Sequence, residues 1–195
     1  MKYDIILASA SPRRREILKA GGYDFTVRPS DIDESVTASD PGELVMELAE
    51  QKAHACEQSL IGEQGYDING KLIIGADTLV FLDDTRMGKP ANIEEWTRYI
   101  KMMSGRKHSV ITGVALIYDG RCETFYSETI VTVDDITDEE IAEYIELGED
   151  MDKAGGYAIQ GQFAKFIPCI EGEYNNVVGF PIAHFRKKLA ELGLE

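Results

Sequence analysis

The sequence predicts an α/β fold, built on an elongated, twisted, mixed β-sheet flanked by helices. Two observations carry this prediction. Apolar segments of strand-like composition alternate with segments of helical periodicity, in the order β-α-β-α-β-α-β-β-α-β-α. The two long strands that directly follow one another are joined by the short turn Asp119-Gly120, which requires antiparallel pairing and therefore makes the sheet mixed.

Three strands and three helices are expected in the first half of the chain. The strand-like segments cover residues 3–8, 25–28 and 71–82. The helices are expected to follow the N-cap residues Ser11, Asp40 and Asn92, whose side-chain oxygens can accept a hydrogen bond from a backbone N–H of the first turn.

In the second half, two long strands flank the Asp119-Gly120 turn. Thr137 and Glu140 then form a capping-box pattern for a helix ending near Leu147. A glycine-rich loop leads to one more strand, and a last helix follows Pro181. No repeat or linker divides the chain, so one domain is expected over residues 1–195.

Composition limits the classes of partner. The net charge of −15 disfavours a nucleic-acid polymer or an anionic membrane as a general partner. No signal peptide or spanning segment is evident, so a cytoplasmic protein is expected. The three cysteines and three histidines are scattered without paired zinc spacings, which predicts buried free thiols and histidines that are at the surface or half-buried and neither catalytic nor metal-binding.

Three consecutive arginines occupy the first turn of the first helix, where the helix dipole disfavours positive charge. They could form a solvated face paired with residues such as Glu16. Alternatively, the arginines could bind a polyphosphate together with the hydroxyls of Ser9 and Ser11, at a junction of strand and helix that exposes backbone N–H groups. The site is neither a P-loop nor a dinucleotide fingerprint, because the glycine patterns of both are absent.

Asp77 interrupts an apolar strand, and a buried carboxylate there needs a hydrogen-bonding, ionic or metal partner. It could be a structural acid bonded to a lysine, or it could mark a functional site. Gly75 just before it allows a close approach to the strand backbone. Lys52, beside the apolar stripe of the second helix, and Lys89, in a turn, are ordinary residues unless they converge with the arginines.

The loop "EDMDKAGGYAIQG" contains three glycines around an aromatic side chain and the amide of Gln160. Such a loop could read the edge of a nucleobase, or it could be a plain flexible connection.

Six motifs occur in a fixed order along the chain: "LASASPRR", "GADT", "GKP", "MSGRKHSVITGVAL", "DKAGGYAIQG" and "NNVVGFP". In this order they resemble the Maf-like nucleoside-triphosphate pyrophosphatases, and the "DKAG" loop with its glutamine resembles the dTTP/UTP branch of that family. The resemblance implies a fold related to the inosine-triphosphate pyrophosphatases. It also implies a homodimeric enzyme that uses Mg²⁺ or Mn²⁺ to convert dTTP, UTP and modified pyrimidine nucleotides to the monophosphate and pyrophosphate.

The resemblance also implies roles for individual residues. Asp77 matches the proton acceptor, and substrate choice falls to Arg13, Thr78 and Gln160. Phosphate binding is expected of Ser9, Arg14, Lys52 and Lys89. Arg15 matches none of these positions and is expected to be solvated. Glu34, from an acidic loop, and Asp77 are the expected metal ligands, since hard cations prefer oxygen donors.

Some alternatives stay open at this point. The chain departs from the common form of the "DKAG" loop at Gly156 and Ala158, which bears on base preference. Specificity for 7-methyl-GTP or for a broad range of triphosphates is one alternative. A nucleotide-binding regulator of cell division without turnover is another, although such a binder has no need of a carboxylate beside a polyanion.

Overall fold

The computed structural model describes residues 3–29, 36–148 and 150–195. Within these ranges the strands are β1 (Asp4–Leu7), β2 (Phe25–Val27), β3 (Lys71–Leu82), β4 (Thr85–Met87), β5 (Lys107–Tyr118), β6 (Arg121–Thr132) and β7 (Cys169–Glu171). The helices are α1 (Pro12–Ala20), α2 (Pro41–Gly62), α3 (Ile93–Met103), α4 (Asp138–Glu146), α5 (Tyr174–Val178) and α6 (Ile182–Leu192). Two short 3-10 helices cover Ala154–Gly156 and Gln162–Phe166.

The strands form a mixed sheet in the order β2-β1-β3-β5-β6-β7, with β4 paired to β3. β1 pairs in parallel with β2 and β3, whereas β4 and β7 pair in antiparallel fashion with β3 and β6. Helices connect the parallel strands, as parallel pairing requires. At the tight turns after β3 and β5, Asp83 and Asp119 take positive φ angles of 51° and 48°. The predicted mixed α/β fold is confirmed.

The predicted helix starts are confirmed by their caps. The backbone N–H of Glu43 donates to Asp40 at 3.0 Å, and that of Glu95 donates to Asn92 at 2.8 Å. At α4, Thr137 and Glu140 make both bonds of the capping box. These local bonds satisfy donors that the first turn of a helix leaves unpaired, which is why the sequence signals them.

The chain divides into two compact units. The first comprises Met1–Asp77, Thr112–Ser127 and Gly179–Glu195, and the second comprises Thr78–Ile111 and Glu128–Val178. In the first unit, α2 covers a core formed with β1, β3 and β5; its members include Ile6, Ala49, Ala53, Cys56, Leu60, Ile73 and Ala115. The core of the second unit is rich in aromatic side chains; its members include Trp96, Tyr99, Tyr144, Tyr157, Phe163 and Phe166.

Two elements and several side chains differ from the predictions. The strand β4 and the helix α5 span only 3 and 5 residues, too few to give a periodic signal, and β4 is defined by its pairing with β3. Cys169 is exposed and Cys122 half-buried, so the expectation of buried thiols holds only for Cys56. His108 is 3% exposed, against the prediction of a surface or half-buried side chain. Among the described helices, none has the length and apolar character to span a membrane.

Candidate functional site

The site in the first unit is organised by the way α2 packs on β3. Gly75 lies under α2, where a Cβ atom would collide with the carbonyl oxygen of Ala49 and would come within 2.9 Å of the Cβ of Ala53. Side chains two residues apart on a strand share a face, so Asp77 points to the same side of β3 as Gly75. The glycine therefore allows the helix to approach the strand closely, beside the carboxylate.

Lys52 of α2 forms an ion pair with Asp77. Its Nζ lies 2.5 Å from Oδ1, and the two side chains are only 18% and 12% exposed. The sequence predicts that Asp77 needs a hydrogen-bonding, ionic or metal partner, and among the described residues Lys52 is an ionic one. A hydrogen bond between two charged groups with so little solvent around it fixes both side chains in place.

Ser9 and Arg14 form the second part of the site, at the junction of β1 and α1. Ser9 is 8% exposed, and its Oγ accepts hydrogen bonds from Nη1 of Arg14 at 3.0 Å and from the backbone N–H of Ser11 at 3.3 Å. Nε of Arg14 donates to the carbonyl oxygen of Gly179 at 3.0 Å. These contacts hold the guanidinium in a fixed orientation.

Pairing of β1 with β3 brings the two parts of the site onto neighbouring strands. The strands are parallel, with Leu7 opposite Ile74. Ser9 follows the carboxyl end of β1, and Asp77 follows Ile74 closely, within β3. In α/β folds the carboxyl end of a parallel strand, here that of β1, is where ligands commonly bind.

The electrostatics of this site favour an anion. Burial lowers the pKa of Arg14 from its ordinary value, the charge of Asp77 opposes the shift, and Arg13 adds to it. An arginine nevertheless remains protonated in proteins. Among the described residues of this site there are three cationic side chains, of Arg13, Arg14 and Lys52, and one carboxylate, of Asp77. This local excess of positive charge contrasts with the net charge of −15 of the whole chain.

The three arginines of α1 separate by burial. Arg13 and Arg14 are half-buried, whereas Arg15 is exposed, as predicted. Ser11 caps the helix by accepting a hydrogen bond from the N–H of Arg14 at 3.4 Å. Of the three positive charges at this helix start, that of Arg14 interacts with the carboxylate of Asp77, and that of Arg15 is exposed to solvent.

The second unit contains Thr78, Lys89 and Gln160. Thr78 is half-buried, and the other two are exposed. The glycine-rich loop packs against the segment that carries Lys89, since the N–H of Gly155 donates to the carbonyl oxygen of Gly88 at 3.0 Å.

The glycine-rich loop is held by side chains beneath it. Trp96 Nε1 donates to the carbonyl oxygen of Gly156 at 2.6 Å, and the hydroxyl of Tyr144 donates to the same oxygen at 3.2 Å. Gly156 has φ of +72°, and a Cβ there would meet the indole of Trp96. The loop is an ordered, packed element of its unit, which speaks against the alternative of a plain flexible connection.

The buried polar pair of His108 and Tyr157 also supports the glycine-rich loop. Nε2 of His108 lies 2.7 Å from the hydroxyl of Tyr157, and the two rings meet edge to face with centroids 5.3 Å apart. Burial lowers the pKa of His108 to about 4 and raises the pKa of Tyr157. At neutral pH the imidazole is therefore uncharged. Nδ1 of His108 makes no hydrogen bond to any of the described residues.

The structure brings together Ser9, Arg14, Lys52 and Asp77 within the first unit, with Arg13 in the same helical turn. Glu34, predicted as a metal ligand, lies outside the described residues. Sequence reasoning missed the carbonyl oxygen of Gly179 and the supporting pair of His108 and Tyr157. Gly179 could have been found, since it lies in the "NNVVGFP" motif, whereas a single buried histidine gives no sequence signal.

Sequence comparison shows which known proteins this chain is similar to. The family model described as "Maf-like protein" matches residues 4–192. A dTTP/UTP pyrophosphatase of Agathobacter rectalis is 42% identical over 201 residues, covering 98% of this chain and 98% of its own. A protein of the same name from Lachnoclostridium phytofermentans is 42% identical, covering 99% and 97%, and one from Bacillus cereus is 41% identical, covering 98% and 96%. The chain therefore belongs to the Maf-like protein family.

Proposed function

We propose that this protein is a nucleoside-triphosphate pyrophosphatase that hydrolyses dTTP and UTP, and modified pyrimidine analogues, to the monophosphate and pyrophosphate. The observation that carries the proposal is the Lys52–Asp77 ion pair beside Arg14, a buried carboxylate within an excess of fixed cations. The full-length relatives bearing the name dTTP/UTP pyrophosphatase support the choice of substrate.

Asp77 is the proposed proton acceptor. Its carboxylate would take a proton from a water molecule as the water oxygen attacks the α-phosphorus. The bond between the α-phosphorus and the oxygen bridging to the β-phosphate breaks, and pyrophosphate leaves with that oxygen. Lys52 orients the carboxylate through the 2.5 Å contact of its Nζ with Oδ1.

The proposed phosphate ligands are Arg13, Arg14 and Ser9. The positive charge of Lys52 also attracts the phosphates of the substrate. Fixed donors are effective here because charge accumulates on the phosphate oxygens during cleavage, and donors already in place need no reorganisation. The hydrogen bonds from Arg14 to Ser9 and Gly179 provide that order before a substrate arrives.

A divalent cation, Mg²⁺ or Mn²⁺, is proposed as cofactor. Asp77 alone among the described residues of this site offers a carboxylate, which fits Mg²⁺, since this ion commonly takes one or two protein carboxylates and completes its shell with waters and phosphate oxygens. Glu34 is the proposed second carboxylate. When bound, the ion would neutralise charge on the phosphates.

Thr78 and Gln160, with Arg13, are proposed to select the base, and Lys89 to bind phosphate, on the strength of the family resemblance. That resemblance also supports one functional domain over the whole chain, location in the cytoplasm and a homodimer. Light scattering coupled to size-exclusion chromatography tests the dimer, and a monomeric mass at working concentration would contradict it.

The test of the proposed function is a panel of nucleoside triphosphates with Mg²⁺ or Mn²⁺, in which pyrophosphate and orthophosphate are measured separately. We expect dTTP and UTP to be preferred over CTP, GTP, ATP and 7-methyl-GTP, with one pyrophosphate released per monophosphate. Asp77→Asn should lower kcat by about 1,000-fold because the proton acceptor is lost.

The matched control is Asp4→Asn, which removes the same charge from the exposed pair of Asp4 with Lys71 in the same sheet and should leave kcat unchanged. Release of orthophosphate would contradict cleavage between the α- and β-phosphates. Tight binding of triphosphate without turnover would favour a regulator, and a preference for 7-methyl-GTP would reassign the substrate.

A further inference from the structure

Three potential metal ligands converge on the surface of the first unit, on a different side of α2 from Lys52. Ligand atoms of Glu50, His54 and Cys122 all lie within 4.8 Å of one another. Glu50 and His54 are one helical turn apart on α2, and Cys122 comes from the start of β6. Since Lys52 and His54 are two positions apart on a helix, their side chains point about 160° apart around the helix axis. This group is therefore separate from the Asp77 site.

The geometry of His54 is that of a metal ligand with an oriented ring. Its Nδ1 lies 3.1 Å from a carboxylate oxygen of Glu57, and its Nε2 lies 3.6 Å from Oε1 of Glu50. A histidine that binds a metal commonly donates the N–H of its other ring nitrogen to a carboxylate, which fixes the ring and its tautomer. Glu57 lies in the position of such a supporting carboxylate, next to Nδ1. Nε2 points toward Glu50 and would be the nitrogen that binds the metal.

The donor types indicate which metal would bind. A thiolate, an imidazole and a carboxylate match Zn²⁺, which binds sulfur and nitrogen readily in tetrahedral sites. Mg²⁺ prefers oxygen ligands alone. Burial and the charge of Glu50 raise the pKa of the Cys122 thiol to about 11, in agreement with carboxylates close to its sulfur.

We propose that Glu50, His54 and Cys122 bind one Zn²⁺ ion, with water as the fourth ligand and Glu57 orienting His54. The ion would join α2 to β6 and so stabilise the helix that carries Lys52. The sequence spacing does not predict this group, because Cys122 is far from the other two residues along the chain and only the fold brings them together. The proposal is independent of the proposed activity.

The test measures binding of Zn²⁺ alone by equilibrium dialysis of the full chain, with metal content by mass spectrometry. The variants are Cys122→Ser and His54→Gln, and the matched control is Cys169→Ser, which removes an exposed thiol of the other unit. We expect one Zn²⁺ per chain in the parent and the control, and at least tenfold weaker binding in the two variants. Thermal unfolding should shift upward with Zn²⁺ only where binding is retained.

Co²⁺ provides a readout of the ligands themselves. A thiolate bound to Co²⁺ gives a charge-transfer band in the near ultraviolet, which should be present in the parent and in Cys169→Ser and absent from Cys122→Ser. Circular dichroism establishes that each variant is folded before binding is measured. Binding of Zn²⁺ with unchanged affinity in Cys122→Ser, or loss of binding in Cys169→Ser, would overturn the assignment, as would a parent protein that binds no Zn²⁺.

Discussion

The two units hold their proposed functional side chains by different means. In the first, Ser9, Arg14, Lys52 and Asp77 are fixed through their own polar atoms by hydrogen bonds and an ion pair. In the second, Lys89 and Gln160 are exposed, and it is the backbone near them that is fixed, by hydrogen bonds and aromatic packing. The groups of the first unit proposed to act on the phosphates are oriented in advance, whereas Lys89, proposed to bind phosphate, and Gln160, proposed to select the base, keep accessible side chains on an ordered backbone.

The largest effect is expected when the positive charge of the buried Lys52–Asp77 pair is removed. Lys52→Met should lower kcat/KM by about 100-fold, because one cationic group is lost and Asp77 loses its orienting partner. It should also lower the free energy of unfolding by about 3 kcal/mol, since it leaves a buried carboxylate without this partner. Steady-state kinetics and urea unfolding measure the two effects.

Two variants serve as controls for that prediction. Lys71→Met breaks the pair with Asp4, whose carboxylate side chain is 80% exposed, and should change neither quantity measurably. The double variant Lys52→Met with Asp77→Leu should recover stability but not activity. Equal losses of activity and stability in Lys52→Met and Lys71→Met would show that burial of the Lys52–Asp77 pair does not account for them.

A similar loss of stability, with a smaller loss of activity, is expected when the approach of α2 to β3 is blocked without a change of charge. Gly75→Ala places a Cβ against the backbone of Ala49 and Ala53, and should cost about 3 kcal/mol in the free energy of unfolding. Activity should fall as well, because Lys52 moves with the helix. Gly62→Ala, at the end of α2 with open space around it, should be neutral or slightly stabilising. Comparable losses in both variants would contradict the packing argument.

A change of pH tests the contribution of the buried His108 to the stability of the second unit. The folded pKa of His108, about 4, lies below its ordinary value of 6.5, so the unfolded chain takes up the proton first as pH falls. Stability is therefore lost between about pH 6.5 and pH 4, and at pH 4.5 the loss from this residue is about 2 kcal/mol. The change in the free energy of unfolding between pH 7 and pH 4.5 should be larger by that amount in the parent than in His108→Gln. Equal changes in the two proteins would show that His108 does not cause the loss of stability at low pH.

The smallest effect concerns selectivity. Gln160→Ala should change the ratio of kcat/KM for dTTP over CTP by about tenfold, the loss of one hydrogen bond to a base edge, with little effect on stability because the side chain is exposed. Gln162→Ala removes the same exposed side chain two residues further on and should leave the ratio unchanged. An unchanged ratio in Gln160→Ala would assign base selection to other residues.

The order of the longer elements, the capped helix starts and the family could all be predicted from the sequence alone. These features depend on local interactions, such as the side chain of Asn92 accepting from Glu95 N–H, or on motifs that can be read directly. The sequence also singled out Asp77 as a charge in need of a partner, because a carboxylate in an apolar strand is costly wherever the strand lies.

The contacts of those residues, in contrast, depend on the tertiary structure. Lys52 as the partner of Asp77, the carbonyl oxygen of Gly179 on Arg14, and His108 beneath the glycine-rich loop all join residues distant along the chain. Such pairs follow from the register of strands and the depth at which a helix packs. The register and the helix depth are set by the whole core, and no local pattern encodes them. The convergence of His54 and Cys122 belongs to the same class, which is why scattered spacing predicted no metal ligands there.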